Sequence, residues 1–235
     1  MQELLHGAGI FFLCVIPAVI VAVLARWLLK VPDELFRKLL HFLLLALYGV
    51  ILFSFEHWQI AALFAGLLAV IFYPVLALIG RIPAFSAFVN ERKQGEFRHS
   101  LILAMCVMAV SICICWGWLQ DRLLVLACIY AWGVGDGFAA LIGKRFGKHK
   151  IRLRFADHHK SVEGSLAMFL TSSAAVLTVM LLRGGLGFGS CLLVALAASA
   201  ASTFVELCST GGYDTVTCPA AAMLVILPLV QLLGR

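Results

Sequence analysis

Charged residues are scarce in this chain. They make up 13% of its 235 residues, whereas a soluble domain carries about 25%. Hydrophobic residues reach 63%, which is more apolar surface than a soluble core of this size could bury. The composition therefore excludes an ordinary soluble domain and predicts that a lipid bilayer is the solvent for most of the chain.

Two further signals are missing. The first apolar run, at about residues 6–29, is preceded by Glu3 and by no lysine or arginine. It is also too long for the core of a signal peptide, so we interpret it as the first membrane span. The eight cysteines match no zinc-site spacing, and Cys113 and Cys115 are too close on a helix to share a face. We interpret them as small apolar packing residues.

Long apolar segments follow one another along the chain, each about long enough to cross a bilayer as a helix. We predict an all-α fold, a polytopic transmembrane helical bundle of about eight spans that forms a single membrane domain over residues 1–235. Pro74, Pro228 and a glycine cluster at 133–137 predict that some spans are kinked or broken. The predicted spans are 6–29, 38–55, 58–80, 99–119, 122–143, 162–182, 188–208 and 217–233.

Lysine and arginine are distributed unevenly between the loops. Of the 18 basic residues, 15 fall in the odd-numbered loops, near residues 26–38, 81–98 and 144–160. The positive-inside rule then places these loops in the cytosol and both termini on the opposite side. This topology accounts for most of the net charge of +6, so no nucleic-acid partner is needed. A basic face would also attract phosphates and anionic lipids.

The second span opens on Arg37, Lys38 and His41. These residues are three or four positions apart, so His41 shares a helical face with the two cations. The motif fits either a basic anchor at the membrane interface or a site for phosphate.

Glu96 and Arg98 stand at the mouth of the fourth span, after the charged stretch Asn90-Glu91-Arg92-Lys93. Ionised groups at such a position usually need a partner or a substrate. A solvated loop and a functional loop explain this segment equally well.

The fifth span contains Gly135-Asp136-Gly137. Asp136 is eight residues before Lys144, so in a regular helix it lies about 12 Å below the cytosolic end of the span. A carboxylate at that depth is costly and indicates a functional site. The flanking glycines allow another backbone or a phosphate to approach closely. The alternative is glycine-mediated helix packing, with Asp136 neutralised by a lysine.

The segment from Gly143 to Lys150 is basic but is not a P-loop. Five residues rather than four separate Gly137 from Gly143, and Arg145 stands where a P-loop has the hydroxyl that ligates Mg²⁺. Basic residues beside glycines still suit a polyphosphate, and a plain positive-inside loop is the alternative.

Lys160, Ser161 and Glu163 start the sixth span. Ser161 is predicted to be the N-cap, with Glu163 in the favourable first turn. Lys160 stands where free helix N–H groups already attract anions, which favours a phosphate site. The preceding His158 and His159 lack matching carboxylates, so we interpret them as surface residues.

Two more carboxylates fall at the same membrane face as Asp136. Glu206 lies near the cytosolic end of the seventh span, and Asp214 lies in the short loop that follows. Carboxylate oxygens suit Mg²⁺, which usually keeps waters and bridges substrate phosphates.

These motifs occur in an order that is typical of one enzyme family. They are Arg37-Lys38-x-x-His41, Gly135-Asp136-Gly137 with Gly143 and Gly147, Lys160-Ser161-x-Glu163-Gly164-Ser165, and Glu206 with Asp214 and Pro219. Over nearly its whole length the chain resembles the CTP-dependent lipid-alcohol kinases, a family that includes dolichol kinase, phytol kinase and fungal-type diacylglycerol kinase. The loop Tyr213-Asp214-Thr215 departs from the family's Asp-Asp-Asn, so only Asp214 is carried over from it.

The resemblance implies transfer of the γ-phosphoryl group of CTP to the hydroxyl of a membrane lipid, most often an isoprenoid alcohol, with diacylglycerol as another acceptor. We predict a divalent cation, Mg²⁺, held by Asp136, Glu206 and Asp214. The predicted catalytic residues are Asp136, His41 and Lys160. The predicted nucleotide and phosphate ligands are Arg37, Lys38, Arg98, Lys144, Lys160, Ser161, Gly135 and Gly137, and Glu96 and Glu163 are further candidates.

Two other functions compete with this prediction. The middle of the chain also resembles phosphatidate cytidylyltransferases, which supports CTP as the nucleotide, but their acidic signature is absent after Glu206. A transporter would spread ionisable residues through the depth of the bilayer, whereas here they gather on one side.

Overall fold

The computed structural model of the protein describes residues 1–82, 85, 95–151, 160–210 and 212–234. Over these ranges it is all-helical, without a β-strand, which confirms the predicted fold class. Eight of its helices are long and apolar enough to cross a membrane: α1 Gln2–Leu29, α2 Asp33–Ser54, α3 Trp58–Ile79, α4 Glu96–Trp118, α5 Arg122–Phe146, α6 Val162–Arg183, α7 Phe188–Cys208 and α8 Asp214–Leu233. The segment 90–93 and the pair His158 and His159 lie outside the described residues.

Helices α1, α2, α4 and α8 begin three to five residues earlier than the hydrophobic runs predict. Helix α2 starts at Asp33 rather than at residue 38, so Arg37 and Lys38 lie within the helix. Helix α8 starts at Asp214 rather than at residue 217, so Asp214 belongs to a first helical turn and not to a loop. Acidic residues favour this position because helix N-termini carry partial positive charge, and a hydropathy pattern alone does not register them.

Helix α4 changes its helical form near its end. Its last seven residues, Ile112–Trp118, are π-helical, a form that is frequent at functional sites and was not predicted here. Helix α3 continues through Pro74, and α5 continues through its glycine cluster.

The chain forms two compact units, Met1–Gly117 and Trp118–Arg235. In the first unit α1 packs on α2, and α3 packs on α4. Glu3 ties the start of α1 to the start of α3, because its carboxylate accepts hydrogen bonds from the backbone N–H groups of Glu56 and His57 at 2.8 and 3.0 Å. Phe11 and Phe64 add an edge-to-face contact with centroids 5.2 Å apart.

The second unit is built around α5. This helix packs against α6 and α8, and α7 packs against both of these. Within its most apolar stretch 56% of α5 is buried, compared with 33–39% for α6, α7 and α8. At the end where α5 begins, Asp121 caps the helix through the N–H of Leu123 at 3.0 Å and pairs with Arg183 at 2.5 Å.

Helices α5 and α6 approach each other along a face of small residues. Gly135, Ala139 and Gly143 recur every four residues on α5, which places them on one helical face. A Cβ added at Gly143 would lie 3.4 Å from the Cα of Gly164 on α6. Small residues at this spacing let membrane helices pack backbone to backbone.

Candidate functional site

Lys160 and Glu206 form the centre of the candidate site in the second unit. The Lys160 Nζ lies 3.0 Å from Glu206 Oε1, and the two side chains are only 16% and 14% exposed. The same ammonium donates to the backbone oxygens of Glu206 and Ser209, the latter at 2.9 Å. Because the last carbonyls of a helix lack partners within it, Lys160 stabilises the end of α7 as well as balancing a carboxylate.

The three carboxylates that the sequence predicts as metal ligands are gathered at this place. Asp136 on α5 and Asp214 on α8 both lie close enough to the Glu206 carboxylate to act on it electrostatically. Asp214 is held by the indole of Trp132, whose Nε1 donates to Oδ2 at 3.2 Å. Three helices therefore each contribute one acid to the same end of the second unit.

Mg²⁺ is the ion that the sequence predicts at these carboxylates. Within the described ranges no three histidine, cysteine, aspartate or glutamate side chains converge closely enough to hold a metal ion by themselves. Mg²⁺ usually binds one or two carboxylates, several waters and substrate phosphates rather than a cage made of protein. The predicted Mg²⁺ site at Asp136, Glu206 and Asp214 therefore stays a prediction, and such an ion would need ligands beyond these side chains.

Ser161 is the N-cap of α6, as the sequence predicts. Its Oγ accepts a hydrogen bond from the N–H of Gly164 at 3.2 Å, and the residue is 3% exposed. Glu163 holds the backbone at His149, because its carboxylate accepts from the N–H of His149 at 3.2 Å and lies 2.7 Å from His149 Nδ1. Both side chains already have structural tasks in this conformation.

Gly135 and Gly137, which the sequence predicts as phosphate ligands, lie within α5. The space over Gly135 is filled by Ser172 and Met168 of α6, so the close approach at this glycine is made by a neighbouring helix. Gly137 is buried in the same helix. Lys144 is exposed in the last turn of α5, next to Arg145.

A buried hydroxyl face on α7 was not predicted. Ser199, Ser202 and Thr203 are at most 8% exposed, and their hydroxyls have no hydrogen-bond partner among the described residues. They precede Glu206 by seven, four and three residues respectively, so they share its helical face over about 10 Å. The three-and-four spacing of these hydroxyls is visible in the sequence and could have identified the face.

In the first unit, the structure brings Arg37 and Glu96 together. Arg37 pairs with Glu34 at 2.6 Å, one turn earlier on α2, and lies 3.8 Å from Glu96 at the start of α4. Lys38 is 7% exposed, which is unusual for a lysine. The His41 ring contacts Phe42 edge-to-face with centroids 5.9 Å apart.

Arg98 lies one turn into α4. Its guanidinium carbon is 5.2 Å from the centroid of the Tyr73 ring, a cation–π contact. Its Nε is buried and has no acceptor in the described part of the chain.

The predicted site residues thus form two groups, one in each compact unit.

Comparison with known proteins finds one informative relative. The chain is 31% identical over 202 residues to a phytol kinase from Synechocystis sp., and the match covers 83% of this chain and 78% of the relative. No protein-family model matches the chain, and no solved structure matches it significantly.

Proposed function

Because the chain belongs to the phytol kinase-type family of membrane lipid-alcohol kinases, we propose that it transfers the γ-phosphoryl group of CTP to the hydroxyl of an isoprenoid alcohol. The observation that supports this most strongly is the cluster of Lys160, Glu206, Asp136 and Asp214. Phosphoryl transfer requires positioning and charge neutralisation more than covalent chemistry. The cluster contains three carboxylates, which suit a metal ion, and one ammonium group, which suits a phosphate.

Each side chain has a proposed task. Asp136, Glu206 and Asp214 would hold Mg²⁺, which when bound neutralises charge on the phosphates. Lys144 and Lys160 would bind phosphate oxygens. In the present arrangement Lys160 is paired with Glu206, so nucleotide binding would exchange part of that ion pair for contacts to phosphate.

The proposed reaction forms one bond and breaks one. The lipid hydroxyl oxygen attacks the γ-phosphorus, the bond from that phosphorus to the β–γ bridging oxygen breaks, and CDP leaves. The hydroxyl proton passes to a base, for which Asp136 and His41 are the two candidates. The buried hydroxyls of Ser199 and Ser202, on the face of α7 that carries Glu206, would hydrogen-bond the alcohol as it approaches from the bilayer.

Different observations support the proposed phosphoryl donor and the proposed phosphoryl acceptor. CTP is supported by the resemblance of residues 136–164 to enzymes that use this nucleotide. An isoprenoid alcohol is supported by the relative, which is named a phytol kinase. The excess of basic residues on one side supports a site that faces the cytosol, where nucleotides are available.

The decisive experiment uses the purified chain in detergent with CTP labelled at either the α- or the γ-phosphorus. Phytol, a polyprenol and diacylglycerol serve as acceptors, and unlabelled ATP as a competing donor. We expect label in the lipid from γ-labelled CTP only, with CDP as the other product. Label transferred from the α-position would instead identify a cytidylyltransferase, and no transfer to any acceptor would contradict the proposal.

The same assay tests Asp136. Replacing Asp136 by Asn should lower turnover by at least about a hundredfold, the loss typical of removing one group that stabilises transition-state charge, without lowering the thermal midpoint. Asp33→Asn is the matched control, because Asp33 is 61% exposed and pairs with Arg26 in the first unit. Near-normal turnover of the Asp136 variant would remove this residue from the mechanism.

A further inference from the structure

A cavity of about 300 Å³ opens in the first unit, between the end of α3 and the start of α4. Two arginines, Arg81 and Arg98, line it together with the apolar side chains of Leu76, Ala77, Phe85 and Phe97. The cavity is therefore amphiphilic, with two positive charges beside an apolar wall.

Arg98 packs against an aromatic ring beside the cavity. Its guanidinium lies over Tyr73, and its Nη2 is 3.4 Å from the position that a Cβ would take at Gly95. Gly95 has φ +81°, a conformation that favours glycine. The buried Nε–H finds no acceptor among the described residues, which is costly unless a ligand supplies one.

Helix α4 begins beside the cavity at Glu96, and its N-cap Gly95 offers no side-chain hydrogen bond to the first turn. The nearby carboxylate of Glu96 lies 3.8 Å from Arg37. Neither Arg81 nor Arg98 is paired with a carboxylate within the described ranges.

We propose that this cavity binds the phosphate of a lipid phosphomonoester, with the start of the lipid tail against the apolar wall. A phosphomonoester carries about −1.5 to −2 charges near pH 7, which matches two guanidinium groups, and arginine binds phosphate oxygens in a bidentate manner. Phe85, Phe97 and Leu76 exclude water from the first carbons of the tail. A lipid phosphomonoester is the product class of the proposed kinase reaction, so the source of the ligand rests on the proposed function.

The test measures equilibrium binding of radiolabelled phytyl monophosphate to the purified full chain in detergent, without nucleotide. We expect saturable binding that Arg98→Gln and Arg81→Gln each weaken by about tenfold to a hundredfold, the range for losing a charge-assisted hydrogen bond. Arg122→Gln is the matched control, since Arg122 begins α5 in the other unit. Binding that both cavity variants leave unchanged would overturn the proposal.

A further variant separates a loss of binding from a loss of folding. Ala77→Leu keeps both arginines and fills part of the cavity, so it should weaken phytyl monophosphate binding while the thermal midpoint stays near that of the wild type. If binding is unaffected by this filling, the ligand is not in the cavity and the proposal fails.

Two further ligands identify the chemistry that is recognised. Inorganic phosphate should bind more weakly than phytyl monophosphate because it lacks the tail, and phosphatidylglycerol should bind more weakly because a diester carries a single charge. Equal binding of phosphatidylglycerol would overturn the assignment to a monoester. The binding test contains no nucleotide, so it does not depend on catalytic activity. If the chain shows no kinase activity but binds phytyl monophosphate through Arg98, the proposed function is refuted and the proposed binding site is not. If the chain is an active kinase but shows no such binding, only the proposed binding site is refuted.

Discussion

Lys160 is the residue whose interpretation the structure changed most. The sequence places it at the start of α6, where it would complete an anion site. In the folded chain its ammonium points instead to Glu206 and to the last carbonyls of α7. A cation beside carbonyls and a carboxylate is favoured because helix C-termini carry partial negative charge, and the sequence could not reveal that the end of α7 packs beside the start of α6.

The ion pair should therefore be measurable as a coupling energy. Lys160→Met and Glu206→Gln should each lower the free energy of unfolding by about 3 kcal/mol, because each leaves a buried partner uncompensated. The double variant should lose less than the sum. Titration of the detergent-solubilised protein with SDS measures the free energy of unfolding of the two single variants and the double variant. Lys144→Met serves as a control with an exposed lysine. Additive losses would show that the pair is not coupled.

At the scale of helices, the packing of α6 on α5 determines where the site lies. The small-residue face of α5 brings the two helices close enough for Ser161 and Gly164 to sit against Gly143. The Ser172 hydroxyl donates to the carbonyl of Ala131 at 2.6 Å, which adds a hydrogen bond deep in the pair. This packing positions the start of α6, and with it Lys160, beside the last turns of α5.

A glycine-to-alanine substitution should change the thermal midpoint differently on α5 and on α3. Gly135→Ala should lower the thermal midpoint, because the new methyl group would meet Met168 and Ser172, and overpacking typically costs about 1–3 kcal/mol. Gly66→Ala on α3 should leave the midpoint equal or raise it, because nothing lies within 4 Å of its Cβ position and alanine favours helix. Thermal denaturation followed by circular dichroism in one detergent compares them, and a stable Gly135 variant would argue against close α5–α6 packing.

At the scale of the whole molecule, the distribution of charge remains a prediction about orientation. Eight spans give an even number of crossings, so both termini should face the side opposite the basic loops. The basic residues near 144–150 and the acidic site then share the cytosolic side.

Fusions to alkaline phosphatase test this orientation in a bacterial inner membrane. The enzyme is active only outside the cytosol, so a fusion after Gln120 should be active and a fusion after Lys148 should be inactive. Green fluorescent protein fused at the same two positions should give the reciprocal pattern. Active phosphatase after Lys148 would invert the topology and place the candidate site on the outer face.

The sequence by itself determined the membrane class, the eight helices and most of their boundaries, because a bilayer demands about 20 apolar residues for each span. It also singled out Asp136, Glu206 and Asp214 as predicted metal ligands, since carboxylates stand out in apolar segments. Where the sequence was incomplete, as at the starts of α2 and α8, acidic first turns lie outside the hydropathy pattern.

Only the tertiary structure decided which of these groups meet. Asp136, Lys160, Glu206 and Asp214 come from segments separated by up to 78 positions, and only the packing of α5 to α8 places them at one end of the second unit. It also decided that Gly135 faces α6, that Trp132 holds Asp214 and that Arg98 borders a cavity. The physical reason is that spacing along one helix specifies a face, whereas the neighbour of that face depends on side-chain fit between helices.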